Sequence, residues 1–202
     1  MRISGLKPET DWRVRLSMRR PSRDEYREFC RANPELRVER NAMGEVIVMP
    51  PAHSRTGRQN QWISQQLGVW ADRDGTGIAF DSSAGFDLPN GSNRSPDASW
   101  VLRSRIDALS PEARGEYLPL CPDFVIELRS RSDRLTELNA KMREYLDCGA
   151  RLGWLIDPLE RAVTVFEPNL PPHRLESPPS ISGDPVLPGF VLHLERVWDP
   201  EL

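Results

Sequence analysis

The segments DFVIEL (residues 123–128), DRLTELNAKMREYLDC (residues 133–148) and LGWLI (residues 152–156) decide the fold. The first is short, mostly apolar and rich in strand formers, which predicts a strand covered on both faces. In the second, Leu135, Leu138, Met142, Tyr145 and Leu146 recur at helical spacing and draw one apolar stripe. Asp133 is a candidate helix cap, and Gly149 fits the left-handed position after the last turn. The third segment is again a strand. Strand, helix and strand in this succession predict a βαβ crossover with its two strands parallel, expected to be right-handed.

Upstream, Ser22 with Glu25 three residues on forms a capping box for a helix running to Ala32, where Asn33-Pro34 ends it. Leu36–Arg40 and Glu45–Met49 read as a hairpin around Asn41–Gly44. From Thr56 to Ala71 the residues Trp62, Ile63, Leu67 and Trp70 keep helical spacing. Strand-like pieces follow at Ile78–Asp81, Gly85–Leu88 and Asp97–Leu102, and Ser110-Pro111 reads as N-cap and first helical residue. Downstream, Arg161–Phe166, Arg174–Glu176 and Phe190–Leu194 read as further strands. The whole is an α/β chain, an α+β-like mixed sheet flanked by helices, with an N-terminal helix and hairpin. Residues 1–20 read as a polar tail and residues 21–202 as a single domain.

A chain of 202 residues with 38% hydrophobic and 28% charged residues can bury a core without staples. It has no apolar run of about 18 residues, so no transmembrane helix is expected. The arginine-studded first twenty residues lack the apolar stretch of a signal peptide. Cys30, Cys121 and Cys148 are odd in number and far apart, which suits a reducing, cytoplasmic setting better than a disulfide framework or a zinc site. The net charge of -3 argues against binding nucleic acid by bulk charge alone. Residues 1–60 nevertheless carry 13 Arg and Lys against 8 Asp and Glu, while residues 61–202 carry 14 against 22. That basic third is either a surface for a phosphate backbone or a solvated arginine-rich face.

Of 27 cationic side chains only Lys7 and Lys141 are lysine. Lysine offers a compact ammonium and arginine a planar fork, so a site needing the compact head would retain it. Lys141 borders the apolar stripe of its helix, between Leu138 and Tyr145. Its ammonium can reach toward the strand ends, or it can pair along the helix with Glu137 or Glu144. Asp97 opens one strand and Glu127 lies near the end of another. On neighbouring strands the two carboxylates converge at one sheet edge, the arrangement that holds a hard divalent cation. The alternatives are that Asp97 caps a turn after Pro96 and that Glu127 pairs with Lys141 or Arg129 as a buried ion pair. Trp62, Trp70, Trp100 and Trp154 read as core rather than as base-stacking platforms.

The stretches SSAGFDLPNGSNRSPDASWVL (residues 82–102) and LCPDFVIELRS…KMREYLDCGARLGWLIDP (residues 120–158) closely resemble the Uma-two family, assigned to the PD-(D/E)XK restriction-endonuclease-like superfamily. The resemblance runs from about residue 20 to the C-terminus and implies a restriction-endonuclease-like core and a metal-dependent endonuclease acting on DNA. It implies that Asp97 is the main metal ligand and Glu127 the second, with Mg²⁺ or Mn²⁺ as cofactor. The lysine of the (D/E)XK element should fall at 129, where Arg129 stands. In this family it looks to have moved to the following helix, which points to Lys141 as the catalytic cation. Arg129 is then a phosphate clamp, or itself that cation. Glu39 resembles an early family glutamate and is either a third ligand or an exposed strand residue. His53 resembles a frequent family histidine, for phosphate contact, proton transfer or a structural hydrogen bond. The resemblance also implies a homodimer. It leaves open a catalytically inactive module of the same fold that binds nucleic acid or protein.

Overall fold

The computed structural model describes residues 15–16 and 20–201 of the chain. In chain order the elements are β1 (Arg15–Leu16), α1 (Arg23–Ala32), β2 (Arg37–Arg40), β3 (Val46–Met49), α2 (Ser54–Asp74) and β4 (Gly77–Asp81). Then follow β5 (Phe86–Asp87), β6 (Asn93–Arg94), β7 (Ala98–Leu102), α3 (Arg103–Asp107), α4 (Pro111–Arg114), β8 (Phe124–Leu128) and α5 (Leu135–Asp147). The last are β9 (Leu152–Asp157), β10 (Ala162–Phe166), β11 (His173–Glu176), β12 (Ser180–Ser182), β13 (Val191–His193) and α6 (Glu195–Trp198).

The main sheet has six strands in the order β11-β10-β9-β8-β7-β4. Its one parallel pair is β8 and β9, joined through α5, and every other neighbour is antiparallel. All five residues of β8 are buried, as a central strand demands. Alternation divides them between two cores. Phe124 and Ile126 face α2, where Ile63 and Leu67 pack with Trp100, Trp154 and Phe190. Val125 faces α5 and meets Leu138, Met142 and Tyr145. Trp100 and Trp154 are thus core residues, and Trp62 and Trp70 lie partly buried against the same cluster. The expected mixed sheet flanked by helices is the one the chain forms.

A second sheet, ordered β1-β3-β2-β6-β5, stands on the expected hairpin. The capping box of α1 forms as read: Glu25 N donates to Ser22 Oγ at 3.2 Å and Ser22 N to Glu25 Oε2 at 2.7 Å. Tyr26 fixes α1 to this sheet by donating to Val38 O at 3.0 Å. Within the stretch read as a tail, Arg15–Leu16 pairs with β3; the rest of residues 1–19 lies outside the described residues. β6 had no sequence signal. It pairs with both β2 and β5 and leads through Ser95-Pro96 into β7, so one short segment stitches the small sheet to the large one.

One expectation changes. Asp133 does not cap α5: Arg134 holds that place without a capping bond, and Asp133 Oδ2 accepts Ser130 N at 2.7 Å, closing the loop from β8. The polar side chain finds a nearer backbone donor in the turn than at the helix. Phe190–Leu194, read as a closing strand, does form one: Val191–His193 pairs with Ser180–Ser182 as a separate ribbon. Gly149 does take a left-handed conformation, with φ 107°. No helix among the described residues is long and apolar enough to cross a membrane.

The start of β4 is sterically specified. A Cβ at Gly77 would stand 2.3 Å from Trp100 Cε2, against a rigid indole buried in the core. Gly77→Ala is expected to lower the midpoint of urea unfolding with little change in slope, costing about 1–3 kcal/mol as overpacked cores do.

Candidate functional site

The site lies where the two sheets and α5 meet. Glu39 comes from β2, Glu127 from β8 and Lys141 from the middle of α5. The three side chains are almost wholly enclosed, at 4%, 5% and 13% exposure. Lys141 Nζ lies 2.8 Å from Glu39 Oε1 and 2.8 Å from Glu127 Oε1. It also sits 5.9 Å from the centre of the Tyr145 ring, within cation–π reach. Lys141 therefore pairs with neither Glu137 nor Glu144. Its position at the border of the apolar stripe carries the ammonium under the helix and onto the sheet.

Asp97 immediately precedes β7. Its carboxylate is held from two sides: Leu128 N donates to Oδ2 at 2.8 Å and Asn60 Nδ2 to Oδ1 at 2.9 Å. The first bond ties Asp97 to the residue after Glu127. The ladder between β7 and β8 stops at Ala98 and Ile126, so Leu128 N has no strand partner there and takes the side chain instead. Asp97 and Glu127 thus meet at one sheet edge, as their spacing predicts.

The carboxylates divide their partners unequally. Glu39 is saturated: Oε1 takes Lys141 Nζ and Ser95 N at 3.0 Å, and Oε2 takes Arg94 Nη1 at 3.0 Å. It is neither exposed nor short of donors. Glu127 Oε1 takes Lys141 and the Tyr145 hydroxyl at 3.0 Å, while its Oε2 accepts no hydrogen bond among the described residues. Burial tends to raise the Glu39 carboxyl, but Lys141 and Arg94 outweigh it and hold the group down at about 2. For Glu127 burial wins, and the nearby charges of Asp97 and Glu39 add to it against Lys141, raising it to about 7. Burial likewise raises Asp97, opposed by Leu128 N, Lys141 and Asn60. Glu39, which has an arginine as well as the ammonium, gives up its proton far below Glu127, which has no arginine.

Arg94, Glu144, Tyr145 and Asn60 complete the cluster and were not singled out from the sequence. A tyrosine inside an apolar stripe needs an acceptor for its hydroxyl, which is the one signal that pointed inward. Arg129 and His53 lie apart from it. Arg129 Nη1 donates to Asp157 Oδ2 at 2.7 Å, which turns the guanidinium along the sheet end toward β9. His53 is the exposed N-cap of α2 and makes no capping bond.

No group of three or more His, Cys, Asp or Glu among the described residues is already gathered as a metal cluster. The donor chemistry still fits a hard cation. Among the described residues Glu39, Glu127 and Glu144 pair with Lys141 and Arg94, while Asp97 makes no ion pair and feels Lys141 and Arg37 only through their fields; the four carboxylates outnumber the paired cations by two when all are ionised. Beside Asp97, the buried Asn60 Oδ1 oxygen has no hydrogen-bond partner among the described residues. Carboxylate and amide oxygens of this kind suit Mg²⁺ or Mn²⁺.

The model of the family Uma2, described as "Putative restriction endonuclease", matches residues 23–195. No curated protein matches. Among solved structures, a putative nuclease belonging to DUF820 from Anabaena variabilis ATCC 29413 superposes with a TM-score of 0.76. The two are 20% identical over 88% of this chain and 97% of that one, so the likeness is one of fold.

The unequal carboxylates set a pH dependence for the metal-free protein. Glu127, raised from 4.5 to about 7, contributes stability that is complete below 4.5 and is lost as pH rises through 7. Glu39, lowered to about 2, contributes stability present above 4.5 and lost as pH falls toward 2. In chelator, wild-type stability should fall on the order of 1–3 kcal/mol between about pH 5 and about pH 7.5. Glu127→Gln should flatten that slope in a thermal scan.

Proposed function

The chain belongs to the Uma2 family, and from that premise we propose that it is a metal-dependent nuclease hydrolysing phosphodiester bonds in DNA. The observation that carries the reading is the placement of Lys141 Nζ, 2.8 Å from Glu127 and 2.8 Å from Glu39, beside an Asp97 pinned to the backbone of Leu128. A buried ammonium so held, next to a surplus of carboxylate, suits a site built for a cation and a phosphate.

Asp97 and Glu127 would hold Mg²⁺ or Mn²⁺, with Asn60 Oδ1 as a neutral oxygen nearby. Such a cation, when bound, supplies activation of water and neutralisation of the charge that gathers on the phosphate oxygens. The chain's own residues do the rest. Leu128 N and Asn60 Nδ2 fix the orientation of the Asp97 carboxylate. Lys141 has three N–H donors; two go to Glu39 and Glu127, and the third is left for a phosphate oxygen or the attacking water. That donor is preorganised, so it stabilises charge without reorganising at the moment of reaction. Glu39 was a candidate ligand. With three donors already on its two oxygens, its role in this reading is to hold the lysine. Arg129, anchored by Asp157 and 19% exposed, remains a candidate for phosphate contact at the rim, and so does His53.

Cutting both strands of a duplex calls for two such sites, and we propose a homodimer on that ground. Cys30, Cys121 and Cys148 are free thiols, which agrees with a reducing, cytoplasmic setting.

Magnesium and manganese titration by calorimetry, followed by cleavage assays on varied DNA, tests the reading. Wild type should bind one of the two ions and cut, with EDTA abolishing the cutting. Asp97→Ala should lose ion binding and at least about 100-fold in rate. Lys141→Ala should keep ion binding while losing on the order of 100-fold in rate. Full, chelator-sensitive cleavage by Asp97→Ala would overturn the assignment. A wild type that binds nucleic acid but neither ion would leave the non-catalytic module.

A further inference from the structure

We propose that Arg94 is the positioning residue for Lys141, clamping the two carboxylates that flank it and so making the small sheet an obligatory part of the site. The inference rests on the nuclease reading for the role of Lys141, but not for the geometry.

All three nitrogens of the Arg94 guanidinium are engaged. Nη1 donates to Glu39 Oε2 at 3.0 Å; Nε donates to Glu144 Oε2 at 2.8 Å, and Nη2 donates to the same oxygen. Glu39 is the partner of Lys141. Glu144 lies three residues beyond Lys141 on the same face of α5. A closed ring results: Lys141 to Glu39, Glu39 to Arg94, Arg94 to Glu144, and Glu144 through the helix back to Lys141. Its charges alternate in sign around the ring.

β6 serves this ring twice. It supplies the Arg94 side chain, and the residue that follows supplies Ser95 N to Glu39 Oε1 at 3.0 Å. The Glu39 carboxylate is therefore fixed at both oxygens by one short strand and its exit. Asn90 Nδ2 fixes the far carboxylate, donating to Glu144 Oε1 at 2.8 Å. Without Arg94 the Glu39 side chain would keep one backbone bond and the lysine itself, and the ammonium would share its freedom. Arg94 is 10% exposed and has no nitrogen left over, so it acts through Glu39 and Glu144 rather than on a phosphate. A lysine there would lack the fork that spans two carboxylates.

The scarcity of lysine makes the test clean. With Lys7 and Lys141 as the chain's two lysines, protein labelled with ¹³Cε-lysine gives two lysine signals, and Lys141→Arg identifies one of them. Wild type should show the Lys141 signal broadened and displaced from free lysine. In Arg94→Gln, folded as judged by near-UV circular dichroism, it should narrow and move to the free position. Glu144→Gln, which opens the ring from the helix side, should move it in the same direction. In the cleavage assay kcat should fall roughly 10–100-fold, with KM and Mg²⁺ affinity held within about twofold. A Lys141 signal unmoved in either folded variant overturns the proposal. Should Arg94→Gln fail to fold, Glu144→Gln decides alone. If wild type cleaves no DNA, the nuclease reading fails while the two lysine spectra still decide the clamp.

Discussion

The structure turns on one buried ammonium shared between two carboxylates from different sheets. An unpaired charge at this depth would cost several kcal/mol, so Lys141, Glu39 and Glu127 can be enclosed only together. That condition ties β2 to β8 and α5, which follow each other in the chain far downstream of it. The apolar stripe of α5 sets the helix on the sheet, and the lysine at its border then has one direction in which to reach. The small sheet is thus joined to the large one by charge at the site, and by the covalent passage from β6 to β7 beside it.

The carboxylates are not equivalent, and their partners explain why. Glu39 receives an ammonium, a guanidinium and a backbone N–H, and stays ionised far below neutrality. Glu127 shares the ammonium, takes one hydroxyl and, among the described residues, keeps an oxygen without a donor. Asp97 stands nearby with both oxygens on neutral donors. The negative charge that the protein's own cations do not offset therefore gathers on Asp97 and Glu127, away from Glu39. A divalent cation at that edge would relieve the repulsion that raises Glu127. The same reasoning separates Glu39, held by two cations, from Glu127 and Asp97, which are not.

How much of this was legible in the sequence follows from the range of each interaction. The βαβ unit was readable because its signal is local: an apolar run, a stripe at helical spacing and a glycine after the last turn. The capping box of α1 was readable for the same reason, since Ser22 and Glu25 lie within one turn. Asp97 and Glu127 stood out as carboxylates at strand ends, and Lys141 by its rarity. Of the partners of Lys141, Glu127 was readable as one side of a buried ion pair. Glu39 was not: it lies 102 residues away and Glu144 only three, so a local reading favours the wrong one. Arg94 gave no signal because nothing distinguishes it among so many arginines. Asp133 misled because a capping residue type before a helix can equally close the preceding turn. Resemblance supplied the candidates Glu39, Arg129 and His53, and the structure brings only Glu39 into the cluster.

The contrast between Lys141 and the arginines explains why a chain so poor in lysine keeps this one. Many described arginines of the basic N-terminal third are engaged with the chain itself. Arg23, Arg37, Arg40 and Arg55 donate to backbone carbonyls, and Arg27 pairs with Asp87. A fork is suited to such work because its donors lie in one plane. The charge excess in that region is thus in good part structural, and it does not by itself make a track for a phosphate backbone. At position 141 the demand differs. Two acceptors approach from different sheets, 2.8 Å away in each case. A tetrahedral ammonium presents three donors that diverge from one point, whereas a guanidinium aims its donors in one plane. Arginine at 94 and lysine at 141 are thus not interchangeable: the planar cation frames the site, and the compact one occupies it.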